Sequence, residues 1–211
     1  MSPKGVPDID ESLRAIEGVI EKRLEAENIS RKFILKCKKI INSARDMNDL
    51  DELEVIAKES LKHLLGWLSR AKEEVSDVFW CPIYQTMSGS LQECLEALIY
   101  VKILKNSEIP KPEQLGVSIR DYLLSLADVV GELRRSFLHL SKKGASKEDL
   151  SRIIEAMEGI YELLESVTVP DSLVPLRRKV DTIRISLDRT LSEYHFMLTC
   201  SREVKGDEED E

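Results

Sequence analysis

Leu91-Gln92-Glu93-Cys94-Leu95-Glu96-Ala97-Leu98-Ile99-Tyr100 and Asp121-Tyr122-Leu123-Leu124-Ser125-Leu126-Ala127-Asp128-Val129-Val130-Gly131-Glu132 are apolar except for carboxylates set about one turn apart. Both have helical periodicity, with none of the alternation of a half-buried strand. Stripping water from a carboxylate is costly unless a partner compensates it. Acids in segments this apolar therefore call for a cation. On a helix, Glu93 and Glu96 share a face with Gln92 and Tyr100, while Leu91, Cys94, Leu95, Leu98 and Val101 form the core-facing side. In the second segment Asp121, Ser125, Asp128, Glu132 and Arg135 make one polar stripe. A polar stripe between apolar faces marks a helix that lines a polar cavity.

Two such stripes facing one cavity bring Glu93, Glu96, Asp128 and Glu132 together. Like charges that close raise one another's pKa, and a divalent cation is the natural compensation. Oxygen-only ligands favour Mg²⁺ or Mn²⁺ over zinc or copper. Such an ion can activate water and stabilise charge on a transferring phosphoryl group, and phosphodiester hydrolysis is a reaction class that needs only these parts. The competing reading makes these acids solvated helix positions, and Asp121, like Glu108, fits that description. A di-iron bundle is excluded because its Glu-x-x-His motif is absent. His63, His139 and His195 lie far apart in sequence and read as surface or packed histidines.

The whole chain of 211 residues has the composition of an all-α protein: helix formers dominate, and aromatics are only 5%. The net charge of −8 argues against a nucleic-acid partner, but the C-terminal Asp207-Glu208-Glu209-Asp210-Glu211 supplies five of those charges. The remainder is near neutral and can display a basic stripe. Cys37, Cys81, Cys94 and Cys200 form no C-x-x-C pair, and Cys37 and Cys94 read as small buried hydrophobes. A reduced, cytoplasmic protein follows. No apolar run is long enough to span a membrane, and no signal peptide opens the chain.

Helical spacing of Leu13, Ile16, Ile20, Leu24, Ile29, Phe33, Ile40, Ile41 and Ala44 predicts one long helix from about residue 8 to 45. Asn48 or Asp49 caps a second, with the stripe Leu53, Ile56, Leu61, Leu64, Leu65, Leu68, Ala71 and Val75. Pro82 suits the first turn of a third helix, ending near Lys105. Ile109-Pro110-Lys111-Pro112 is a connector, followed by a short helix or turn and then the helix of the second acidic segment, which Lys142-Lys143-Gly144 ends. Ser146 starts the next helix, with the stripe Ile153, Ile154, Met157, Ile160, Leu163 and Leu164, and Val169-Pro170 breaks it. A last helix covers roughly 173–199. Six or seven long helices with short connectors imply an antiparallel bundle over residues 8–200, with 201–211 a disordered acidic tail.

The two acidic segments, in the order Leu91-Gln92-Glu93-x-x-Glu96-Ala97 and Asp121-Tyr122-Leu123-Leu124-x-x-Ala127-Asp128-x-x-Gly131-Glu132-Leu133, resemble the translin family, and more closely its translin-associated factor X branch. Ser30-Arg31-Lys32 with Ile34, Lys39 and Ile40 resembles that branch's first helix, and the similarity spans about residues 8–200. The short connector between the motifs and the absence of an import signal point to a compact prokaryotic or archaeal relative. The resemblance implies a translin-like fold and a homo-oligomeric, most simply octameric, hollow shell. It also implies a Mg²⁺-dependent endoribonuclease with Glu93, Glu96, Asp128 and Glu132 as the catalytic, metal-holding acids. Arg31, Lys32 and Lys39 then hold single-stranded RNA, with single-stranded DNA as a second candidate. Two further basic clusters, Arg134-Arg135 and Arg177-Arg178-Lys179 with Arg184, read as solvated surface. The alternative is a non-catalytic single-strand-binding shell of the translin type, and a third reading is a helical scaffold.

Overall fold

The computed structural model describes the backbone of residues 10–206 and the side chains of 13–199. Among these residues it contains seven helices and no strand: α1 (Asp10–Ala44), α2 (Leu50–Glu74), α3 (Asp77–Leu104), α4 (Pro112–Leu115), α5 (Ile119–Lys142), α6 (Lys147–Ser166) and α7 (Arg177–Gly206). The expected all-α bundle of long helices is what forms. Its centre is α3, which packs on α1, α2 and α5, while α5 in turn packs on α6 and α7. The reason is plain in the sequence of α3. Cys94, Leu95, Ala97, Leu98, Ile99, Tyr100 and Val101 are all buried, and so is Glu96 among them, so this stretch of the helix has no solvent face at all.

Local chemistry sets most boundaries. Ser118 accepts the Asp121 backbone N–H at 3.0 Å and Ser146 accepts that of Asp149 at 3.1 Å, each satisfying an otherwise unpaired donor at a helix start. Gly144, with φ of 72°, ends α5 in the left-handed region that a residue with a Cβ enters only at a cost, and the Ala145 N–H returns to the Leu140 carbonyl at 3.0 Å. Asp49 precedes α2 as expected, but with φ of 53° and no side-chain cap bond.

Three expectations are corrected. Pro82 lies inside α3, which starts five residues earlier at Asp77. The bond it removes would end on Val78, which is 80% exposed, so water can serve that carbonyl. The last helix begins at Arg177 because Pro175 disfavours the helical conformation at Val174. Leu13, Ile16, Ile20 and Leu24 are exposed, and so is Leu163 of the α6 stripe. This stripe of α1 therefore faces away from the core, and full burial on the helix begins at Ala26. At the other end α7 continues to Gly206, past the expected domain end at 200, and residues 207–211 of the acidic tail lie outside the described residues. Among the described residues no helix is long and apolar enough to cross a membrane.

Candidate functional site

The structure brings all four sequence-predicted acids into one place. Glu93 and Glu96 from α3 and Asp128 and Glu132 from α5 line a cleft of about 620 Å³, with Lys38, Ile41 and Asn42 of α1 on one side and Gly131 and Arg135 on the other. Open space stands where a Gly131 side chain would project, so that wall stays low.

The charges are unevenly compensated. Lys38 approaches Glu93 at 3.6 Å. Arg45 donates to Glu132 at 2.8 Å, and Arg135 holds the other oxygen of the same carboxylate. Lys179, reaching over from α7, pairs with Asp128. Glu96 has no hydrogen bond or ion pair among the described residues, although it is only 8% exposed. Burial, then the charges of Glu93, Asp128 and Glu132, push its pKa up to about 8. Burial also raises Glu93, against the pull of Lys38. The Arg45 guanidinium is itself imperfectly served, since its buried Nε has no partner.

As the side chains stand, no three acid, histidine or cysteine groups among the described residues converge to hold a metal. Cations pair instead with three of the four acids, Glu93, Asp128 and Glu132. The donor set nevertheless suits a hard divalent ion: it is all oxygen, it lines one cleft, and one member, Glu96, is buried with no positive partner of its own.

Glu96 gives the fold a pH dependence. Its ordinary value is 4.5 and its folded value about 8, so the stability that its protonation favours is full below about pH 4.5 and is lost as pH rises through 8. The stability of metal-free protein is expected to fall over that window, by roughly 5 kcal/mol at most, and its denaturation midpoint with it. Glu96→Gln is expected to flatten the slope; an unchanged slope would assign the loss to other groups.

Asp121 is where the sequence reading fails. It is fully buried, not a solvated acid. Ser118 Oγ donates to it at 2.6 Å, Ser88 Oγ at 2.9 Å and Gln92 Nε2 at 2.9 Å, and the Tyr84 hydroxyl also donates. Burial pushes its pKa up, but the donors together outweigh burial and hold the carboxyl below its ordinary value. Tyr84, Ser88 and Gln92 recur every fourth residue along α3, so one carboxylate on α5 gathers a whole face of its neighbour. One turn on, Ser125 Oγ donates to the Gln92 carbonyl at 3.1 Å. These bonds fix the register of the two helices that carry the acids.

The basic residues of α1 sort by face. Arg31, Lys32, Lys38 and Lys39 fall in one sector of the helix, opposite the buried Cys37, Ile40 and Ala44. Arg31, Lys32 and Lys39 are exposed and have no acid partner among the described residues, and Lys38 joins this face to the acidic cleft. The other clusters divide. Arg134 is held by Glu193 at 2.6 Å, whereas Lys179, read as surface, belongs to the site.

A model of the translin family matches residues 15–190. The chain belongs to the translin family. Among solved structures, AfC3PO superposes with a TM-score of 0.77 at 27% identity, covering 91% of this chain and 97% of that one. A complex of AfC3PO with duplex RNA gives 0.76 with the same identity and coverage. Apo-NeC3PO, at 22% identity and a TM-score of 0.76, covers 92% of this chain and 99% of its own and shares the translin fold. An uncharacterised protein of Methanocaldococcus jannaschii is 29% identical over 170 residues, which are 80% of this chain and 72% of that relative.

Proposed function

We propose that this translin-family chain is a catalytic subunit of the translin-associated factor X type, a Mg²⁺- or Mn²⁺-dependent endoribonuclease that cleaves single-stranded RNA within a homo-oligomeric shell. The observation that carries the reading is the meeting of four carboxylates from α3 and α5 in one cleft, beside an exposed basic face of α1. Glu93, Glu96, Asp128 and Glu132 would hold the metal. When bound, it supplies an activated water and a counter-charge for the phosphoryl oxygens. Lys38 and Lys179, no longer needed by the acids, are then positive groups at the rim of the cleft and draw the RNA phosphate toward it. Arg31, Lys32 and Lys39 hold the flanking phosphates without reading sequence. The AfC3PO neighbour was captured with duplex RNA, which supports RNA as the ligand class.

A non-catalytic binding shell is the competing reading, and the pairing of Lys38, Arg45, Arg135 and Lys179 with three of the acids is what favours it. Incubation with an end-labelled single-stranded RNA and Mg²⁺ separates the two. Internal fragments are expected; bound but intact RNA supports the shell.

Replacing Arg31, Lys32 and Lys39 together with glutamine is expected to weaken RNA binding and to reduce the slope of log affinity against log salt by about 2, since each phosphate contact on a single strand adds about 0.7. Unchanged affinity and slope would return these residues to ordinary surface.

Assembly is supported by the first half of α1. Leu13, Ile16, Ile20 and Leu24 lie along one face and are 41–55% exposed, a stripe that the fold itself leaves uncovered. Light scattering is expected to give about eight times the 24.1 kDa subunit mass, and Ile20→Glu with Leu24→Glu is expected to lower it. A monomer at micromolar concentration would refute the shell.

A further inference from the structure

We infer that Cys37 and Cys94 are a disulfide-forming pair that clamps the basic helix α1 to the acid-bearing helix α3. Their sulfurs stand 3.0 Å apart, both side chains are fully buried, and they are 57 positions apart in the chain, with all of α2 between them. Bond formation needs the sulfurs to close by about 1 Å, to a length of about 2.04 Å. The two thiols face one another across the α1–α3 contact, one residue from Lys38 and one from Glu93, which meet at the edge of the cleft. Neither thiol takes part in the proposed chemistry, and the inference does not depend on it. Cys81 is exposed and lies outside this contact.

The chemistry needs a two-electron oxidant, and a low-molecular-weight disulfide supplies it. One cysteine thiolate attacks that disulfide, expels one small thiolate and becomes a mixed disulfide. The second cysteine then attacks the protein sulfur of that bond and expels the other small thiolate. Two protein thiols lose two protons and two electrons, and one small disulfide becomes two small thiols. Both sulfurs are fully buried, so the closed fold keeps a small disulfide from reaching either of them. Exchange therefore belongs to the folding or transiently opened chain. Once α1 seats, the same burial shields the bond from reductant. This makes a durable cross-link, not a rapid switch.

The test refolds the full chain from denaturant with glutathione disulfide or with dithiothreitol, quenches in acid, alkylates the free thiols and maps the peptides. In the glutathione disulfide sample the Cys37 and Cys94 peptides are expected joined and unalkylated. The oxidised protein is expected to melt roughly 10 °C above the reduced one, because closing a loop this long restricts the unfolded chain. Cys37→Ala is expected to lose both the joined peptide and the redox-dependent rise. Full alkylation of Cys37 and Cys94 in the wild type, or linkage of either to Cys81 or Cys200, overturns the pairing. A joined pair with no rise in melting temperature overturns the clamp.

Discussion

Glu96→Ala and Asp128→Ala are each expected to lose RNA cleavage by more than about a hundredfold while keeping wild-type RNA affinity. A hundredfold is about the upper loss when an outer partner of a metal ligand is removed, so loss of a ligand itself should exceed it. Affinity should survive because the phosphate grip lies on α1, on Arg31, Lys32 and Lys39, away from α3 and α5. The two variants should differ in stability. Removing Glu96 takes away a buried carboxylate that has no cationic partner, so the metal-free protein should be at least as stable as wild type near pH 8. Removing Asp128 frees Lys179, which is only partly buried and can turn to water, so little change is expected. If both variants cleave at the wild-type rate, these acids are not the site.

Asp121→Ala is expected to be the most damaging single change to the fold, by about 3–5 kcal/mol, or a fall of roughly 10 °C in melting temperature. It would leave Tyr84, Ser88, Gln92 and Ser118 facing an emptied, fully buried position with no acceptor. The pH dependence of this contribution has the sign opposite to that of Glu96. Its folded pKa lies below the ordinary 3.8, so its stabilisation is present above that value and is lost as pH falls through the lower folded one. A melting temperature within about 1 °C of wild type would show that the donors find other acceptors and that Asp121 does not lock the helices.

The contrast between these residues shows what a sequence carries and what it does not. Glu93, Glu96, Asp128 and Glu132 are legible because an acid in a continuously apolar helix is anomalous wherever the helix goes. Asp121 misleads because it sits in the first turn, where acids are common on solvated surfaces and favoured by the helix dipole. Its signal lies elsewhere, in Tyr84, Ser88 and Gln92 recurring at the helical period on another segment. The cations that pair with the site acids are invisible for a related reason. Lys38, Arg45 and Lys179 come from α1, the turn after it and α7, and nothing local marks a surface lysine as the one that folds over Asp128.

Fold boundaries follow the same division. Ser146 and Gly144 act within their own turn and read correctly. Pro82 suggests a helix start too strongly, because its cost is small where Val78 is open to water. Leu13, Ile16, Ile20 and Leu24 carry the pattern of a core stripe, and periodicity alone does not say whether the subunit itself covers such a stripe.

The central claim is that the carboxylate cleft cleaves RNA only when it holds a divalent cation. Wild-type protein, stripped with EDTA and dialysed, is assayed on end-labelled single-stranded RNA alone and after addition of Mg²⁺ or Mn²⁺. Intact RNA without added ion and internal fragments with it are the expected result, with Glu96→Gln inactive in both. Equal cleavage with and without the ion, or wild-type cleavage by Glu96→Gln, would contradict it.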